Sequence, residues 1–268
     1  MYEEPYKWVE AVGNRRQYLD EQFRQGSPVV SVAYEEGILL LTVSKGTPKL
    51  YEIYDRLALG GMGHPADLEK LRFTLLEMAH VEGFSRSPSD VTGSRMVKYG
   101  VAPVIKQAFE EVFKAPFILK ALLVELGLKA DKDTFLTVNY DGTFEEKRSR
   151  AVLAASLTIE QEMLTYLQQQ PCHSLEQAIS AAVCAWAVGE RAQVHAMRQD
   201  GADDGGAQQA DPPSTDRAAL YASIPQSLRD KRIECAVLDR QVRGPSKYRA
   251  IDSNELKRVL PPEIASVL

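Results

Sequence analysis

The sequence predicts an α/β (α+β) fold in which two stacked sheets lie between two layers of helices. Three observations point there. Residues 28–56, PVVSVAYEEGILLLTVSKGTPKLYEIYDR, open with two β-branched, apolar runs around Glu35-Glu36-Gly37, which reads as a hairpin. Both faces of those runs are apolar, so the sheet they enter should be covered on each side. Strand-like and helix-like stretches then alternate in blocks along the chain, where a doubly wound parallel sheet would alternate strand and helix one by one.

Each element has its own signal. In residues 1–26, Trp8, Val12, Leu19 and Phe23 form one apolar stripe among charged residues, with Pro5 suited to a first helical turn and Gly26 to a stop. A third apolar run, Leu50 to Leu59, follows the hairpin, and Gly60-Gly61-Met62-Gly63 reads as a tight turn. Pro65 to Gly83 carries Leu68, Leu71, Leu75 and Met78 at helical spacing. A second helix is expected from Val91 to Lys114, striped by Val97, Val101, Val104 or Ile105, Ala108 and Val112 and kinked at Pro103.

Phe117 to Leu126 reads as a buried central strand, and Asp133 to Tyr140 as a strand turning at Asp141-Gly142 into Thr143-Phe144. After Val152 to Ala155, a helix capped by Thr158 is expected, then one over Ser174 to Met197 capped by Ser174, with Leu175, Ile179, Val183, Trp186 and Glu190 on its inner side. Residues 199–213, QDGADDGGAQQADPP, are acidic with no apolar side chain larger than alanine, and read as a mobile surface loop. A short helical turn at Leu220, Tyr221, Ile224 and Leu228, a hairpin of Ile233 to Asp239 with Lys247 to Asp252, and a last helix capped by Ser253 complete the order. The resulting division is 1–26 leader and helix, 27–260 main domain, and 261–268 tail.

Composition excludes several classes. The chain has 268 residues, a net charge of −5 and a pI near 5.5, so no basic footprint recommends a nucleic acid or an anionic membrane. No apolar run reaches the ~18–20 residues of a membrane span, and MYEEPYKWVE lacks the apolar centre of a signal peptide. Three scattered cysteines, Cys172, Cys184 and Cys235, suit a reducing, cytoplasmic setting without a disulfide framework.

The wording VVSVAYEEGILLL, then KLYEIYDRLALGGMG, resembles bacterial proteasome α-type subunits. Asp90 to Gly93 (DVTG), the YDG turn and KYRAIDSNELKRVL agree in order and spacing, so the resemblance covers about residues 8–196 and 231–260. It implies the four-layer αββα sandwich of the amino-terminal-nucleophile (Ntn) hydrolases with an added N-terminal helix. It further implies a non-catalytic subunit in a seven-membered ring of identical chains, stacked on catalytic β-type subunits. Met1, Tyr2, Glu3, Glu4, Pro5, Tyr6 and Lys7 would gate the entry of unfolded protein substrates. Lys49, with Gly63 and His64 as the wall, would line a pocket for the terminal carboxylate of a ring-shaped ATPase activator. His64 departs from the family's usual choice there, and Pro103 is foreign to its second helix.

Catalytic members of the superfamily use a freed N-terminal Thr, Ser or Cys whose own amine is the base. Ser27 stands where the first strand begins and could become such a terminus after Gly26. The position of the supporting Asp falls on Val43, with no carboxylate between Ile38 and Tyr51, and Lys49 therefore lacks its charge partner. Ser27 reads as a linker residue, and no catalytic residue is assigned; a self-processing serine hydrolase and an unrelated scaffold module remain the alternatives. His64, His80, His173 and His195 show no metal spacing, the glycine run lacks the Lys-Ser/Thr of a phosphate loop, and Glu77 with Glu82 or Asp203 with Asp204 show no acid–base asymmetry. No metal and no cofactor are expected.

Overall fold

The structure is a computed structural model describing residues 5–111, 113–200 and 216–267. Two five-stranded antiparallel sheets face each other. The first has the order β10-β9-β2-β1-β8, built from β1 (Val29–Tyr34), β2 (Gly37–Ser44), β8 (Arg150–Leu153), β9 (Arg232–Asp239) and β10 (Tyr248–Ala250). The second has the order β3-β4-β5-β6-β7, from β3 (Leu50–Tyr54), β4 (Leu57–Gly63), β5 (Leu119–Glu125), β6 (Thr134–Val138) and β7 (Phe144–Lys147).

Period-two alternation sorts the apolar side chains between layers. Val29, Ile38 and Leu40 face the second sheet's Ala58, Met62, Leu122, Val124 and Phe135. Val30, Val32, Leu39, Leu41 and Val43 turn outward onto a helical layer of α5 (Leu157–Gln168), α6 (Leu175–Asp200), α7 (Arg217–Ser227), α8 (Ser253–Val259) and α9 (Pro262–Ala265). Leu57, Leu59, Leu123 and Leu136 pack on α2 (Pro65–Ser85), α3 (Gly93–Met96) and α4 (Ala102–Glu110). The result is the expected αββα sandwich. No described helix is long and apolar enough to cross a membrane.

The leading helix α1 (Pro5–Phe23) seats only its second half. Leu19 and Phe23 are fully buried between the sheets, whereas Trp8 and Val9, named or flanked by the sequence stripe, are exposed. Arg15 ties the helix down by donating from Nη1 to the carbonyls of Ala108, Phe109 and Glu111, and from Nη2 to that of Lys114 at 2.8 Å. Pro5, Tyr6 and Lys7 already belong to the helix, since proline is accommodated in a first turn. Met1 to Glu4, Val112, and residues 201–213 of the acidic segment, with Asp203 and Asp204, lie outside the described residues.

Several local expectations are corrected. The run Leu50 to Leu59 is split by a turn at Asp55-Arg56 into β3 and β4, and Gly60 to Gly63 is strand, not a tight turn. Those glycines serve close packing: a Cβ on Gly60 would stand 2.9 Å from Val29 Cγ1, and one on Gly61 2.2 Å from Leu68 Cδ2. The helix expected over Val91 to Lys114 is instead α3, a π-helical turn over Val97–Val101, and α4, ending at Glu110. The wide turn comes immediately before α4, whose first turn holds Pro103, so the missing N–H falls where a helix start tolerates it. Ile105 is buried and Val104 is half-exposed. The caps are Ser156 for α5, accepting from Ile159 N, and Asp252 for α8, accepting from Glu255 N. The capping oxygen thus comes from a residue two positions before the expected Thr158 and one position before the expected Ser253. Residues 262–265 form α9, with Ile264 fully buried in the cluster that the first sheet makes with its helices.

Candidate functional site

At the end of the sandwich where α1 gives way to β1, a cleft of about 510 Å³ is lined by Ser27, Lys49, Gly63, His64, Glu190 and Lys231, among others. Chain geometry delivers them from distant places. Lys49 precedes β3, and its backbone N–H donates to Glu234 Oε2 at 2.8 Å, with Leu50 N sharing the same oxygen at 3.3 Å. Its ammonium folds back to the Val43 carbonyl at 3.3 Å, a long bond that leaves donor capacity free. Burial pushes the Lys49 ammonium below the ordinary lysine range, while the negative charge of Glu234 opposes that shift. Lys231 is engaged by Glu190 Oε1 at 2.9 Å.

Gly63 ends β4 in the left-handed region, with φ of 136°, and a Cβ there would stand 2.0 Å from the Ile118 carbonyl oxygen. Only glycine fits that approach. His64 follows as the N-cap of α2: its backbone N–H donates to the Ile118 carbonyl at 2.7 Å, and its Nδ1 accepts from Ala66 N at 3.2 Å. The three pocket residues named from the sequence thus line one cleft.

Ser27 lines the same cleft, but it is held. It is buried, and its Oγ accepts from Trp186 Nε1 at 2.9 Å. The carbonyl of Gly26 accepts from Gln193 Nε2 at 2.7 Å. Val43 stands beside Lys49 through its carbonyl alone, as the sequence places no carboxylate there. The carboxylates near Lys49, Glu190 and Glu234, come from α6 and β9 and were invisible to a local reading; Glu190 was legible only as an inner-face residue of its helix. The Ser27–Trp186 contact, across 159 positions, had no sequence signal.

The remaining candidates disperse. His80 Nδ1 lies against the Leu76 carbonyl, His173 faces Glu35, and His195 lines a separate groove between α5 and α6. Glu82 is paired with Arg86 and Arg95. Cys172, Cys184 and Cys235 are free thiols.

No family model matches the chain. It is 23% identical over 251 residues to the proteasome subunit alpha of Acidothermus cellulolyticus, covering 93% of each chain. It is 28% identical over 142 residues to the protein of the same name in Actinosynnema mirum, and that match spans about half of the relative's length, 53%. With the corresponding protein of Saccharopolyspora erythraea it shares 31% identity over 131 residues, 50% of that relative. Similarity that runs nearly end to end, on a sandwich of two antiparallel sheets preceded by a helix, makes this chain similar to bacterial proteasome α-type subunits.

Proposed function

We propose that the chain is a non-catalytic subunit of a bacterial, cytoplasmic proteasome core particle. In this reading identical copies close a seven-membered outer ring on β-type subunits, which carry the peptide-bond hydrolysis. Head-to-tail contacts that close by rotation suit such a ring. Met1 to Lys7 gate the axial entrance, so that only an unfolded chain delivered by a ring-shaped ATPase passes. The cleft of Lys49, Gly63 and His64 receives a terminal carboxylate of that activator, for which an incompletely bonded ammonium in a partly dry crevice is a suitable partner.

The observation that carries the non-catalytic role is the seating of the leader. Leu19 and Phe23 are fully buried in the core between the sheets, so removal of residues 1–26 would strip side chains from that core. The second reading, a serine hydrolase that frees Ser27, is favoured only by the presence of Ser27 and Lys49 in one cleft. Intact mass of the chain co-expressed with a β-type partner decides between them. A full-length mass, with sevenfold rings in negative stain, is the expected result; loss of the first 26 residues would favour the hydrolase. In the assembled particle, deletion of Met1 to Lys7 is expected to raise peptide hydrolysis, and Lys49→Ala to abolish stimulation by the ATPase while assembly persists.

A further inference from the structure

Lys120 lies within the apolar run of β5 and is buried, as is Glu160 in the first turn of α5. Their charges meet at 3.6 Å, Nζ to Oε1. Both serve one short stretch of backbone, the junction of β8 with α5. Lys120 Nζ donates to the carbonyls of Ala154 at 2.7 Å and Ala155 at 3.3 Å, while Glu160 Oε1 accepts from Ala154 N at 3.1 Å. Ala154 is fully buried, so without the pair its peptide groups would stand unpaired away from water. Desolvation offsets most of the attraction within a buried ion pair. What this pair contributes is position.

The leader helix rests on the same ammonium. The Phe23 ring centroid lies 5.4 Å from Lys120 Nζ, within the range of a cation–π contact. One turn earlier, Asp20 accepts from Tyr140 Oη at 2.9 Å, and Tyr140 stacks on Phe23 with centroids 5.8 Å apart. Burial pushes the Lys120 ammonium below the ordinary lysine range, and the negative charges of Glu160 and Asp20 oppose that shift. One of those carboxylates belongs to α5 and the other to the leader. Leader and junction face each other across a cavity of about 390 Å³, lined by Asp20, Lys120, Ala155 and Ser156 among others. We propose that Lys120 is a latch, its ammonium holding Phe23 on one side and the Ala154 and Ala155 carbonyls on the other, so that the leader seats and the β8–α5 junction orders as one cooperative unit. Coupling of this kind is reciprocal: whatever stiffens the start of α5 retains the leader by the same free energy, and a loosened leader loosens the start of α5. The leader is thereby tied to the outer helical layer as well as to the core between the sheets.

Amide exchange of the full-length protein tests the latch, read by mass spectrometry on peptides covering residues 15–25, 154–163 and, as reference, 232–239. Phe23→Leu keeps an apolar side chain and removes the ring. It is expected to raise exchange about three- to tenfold at 15–25, the order of a desolvated cation–π contact, and by a similar factor at 154–163, with 232–239 unchanged. Lys120→Met combined with Glu160→Gln removes both charges and keeps an acceptor for Ala154 N. On that background Phe23→Leu is expected to have no further effect at 154–163, the signature of a broken coupling. A rise confined to 15–25 in Phe23→Leu would overturn the latch, and so would an equal rise in all three regions, which marks global loosening. If the doubly substituted chain fails to fold, Phe23→Leu alone decides.

Discussion

Trp186 Nε1 donates to Ser27 Oγ at 2.9 Å, joining the middle of α6 to the first residue after the leader. Both side chains are buried, so the bond is made away from water, where an unpaired partner is costly. Trp186→Phe keeps most of the aromatic volume and removes the N–H. The variant is expected to lose about 1–2 kcal/mol in urea unfolding from the orphaned hydroxyl, with more from incomplete packing. Its intact mass is expected to stay full length, because Gln193 still binds the Gly26 carbonyl. A stability equal to wild type would show that Ser27 is satisfied some other way.

Glycine positions separate backbone need from mere tolerance. Gly63→Ala must place a Cβ 2.0 Å from a carbonyl oxygen at a φ of 136°, and that oxygen belongs to backbone which cannot swing aside. The expected outcome is a loss of about 3 kcal/mol or more, seen as poor soluble yield or a Tm lowered by many degrees. Gly13→Ala is the control: it sits inside α1 with nothing within 4 Å of the added atom. That change is expected to stabilise by roughly 0.5–1 kcal/mol. Equal effects at the two positions would contradict the packing of Gly63 on Ile118.

These contrasts also mark what the sequence disclosed. The opening hairpin and the Asp141-Gly142 turn were legible because turn chemistry there is local; Gly142 adopts a φ of 81° that few other residues accept. The strand Leu57–Gly63 was half hidden, since glycine weakens strand patterns and its reason, the approach of Val29 and Leu68, is tertiary. The π-helical turn before Pro103 was hidden for a related cause: a proline signals a missing donor, and whether the chain kinks or widens a turn is decided by packing. At the site, Lys49, Gly63 and His64 were named through family resemblance. Glu190 and Lys231 reach the cleft, and Glu234 reaches the Lys49 backbone beside it, only through the pairing of β9 with β2 and the run of α6, which no window of sequence contains.

Arg15 acts as a clamp between α1 and the end of α4. Its guanidinium meets the carbonyls of Ala108 and Phe109 in the last turn of α4 and those of Glu111 and Lys114 just beyond it, and its charge complements the negative end of the helix dipole. Arg15→Ala is expected to cost about 2 kcal/mol and to raise amide exchange around residues 105–114 before the rest of the chain opens. Arg15→Lys is expected to recover only part of this, because an ammonium cannot span the same set of acceptors. Uniform exchange changes across the chain would argue against a local clamp.

Glu125, at the end of β5, gives stability a defined pH dependence. Its Oε2 accepts from Gly93 N at 2.8 Å and Arg56 lies 3.7 Å from Oε1, yet burial dominates and pushes its carboxyl above the ordinary carboxylate range. In the unfolded chain the same group releases its proton near pH ~4.3. Between that value and the higher native one, the folded state binds more protons, so stability falls as pH rises through the window and the penalty is complete above it. Glu125→Gln keeps an oxygen for Gly93 and cannot ionise. The difference in unfolding free energy between variant and wild type, measured from pH 4 to pH 7.5, is expected to shift in the variant's favour as pH rises and then level off. A difference that stays flat, or moves the other way because the Arg56 pair outweighs burial, would reverse the assignment of desolvation as the controlling force at this carboxylate.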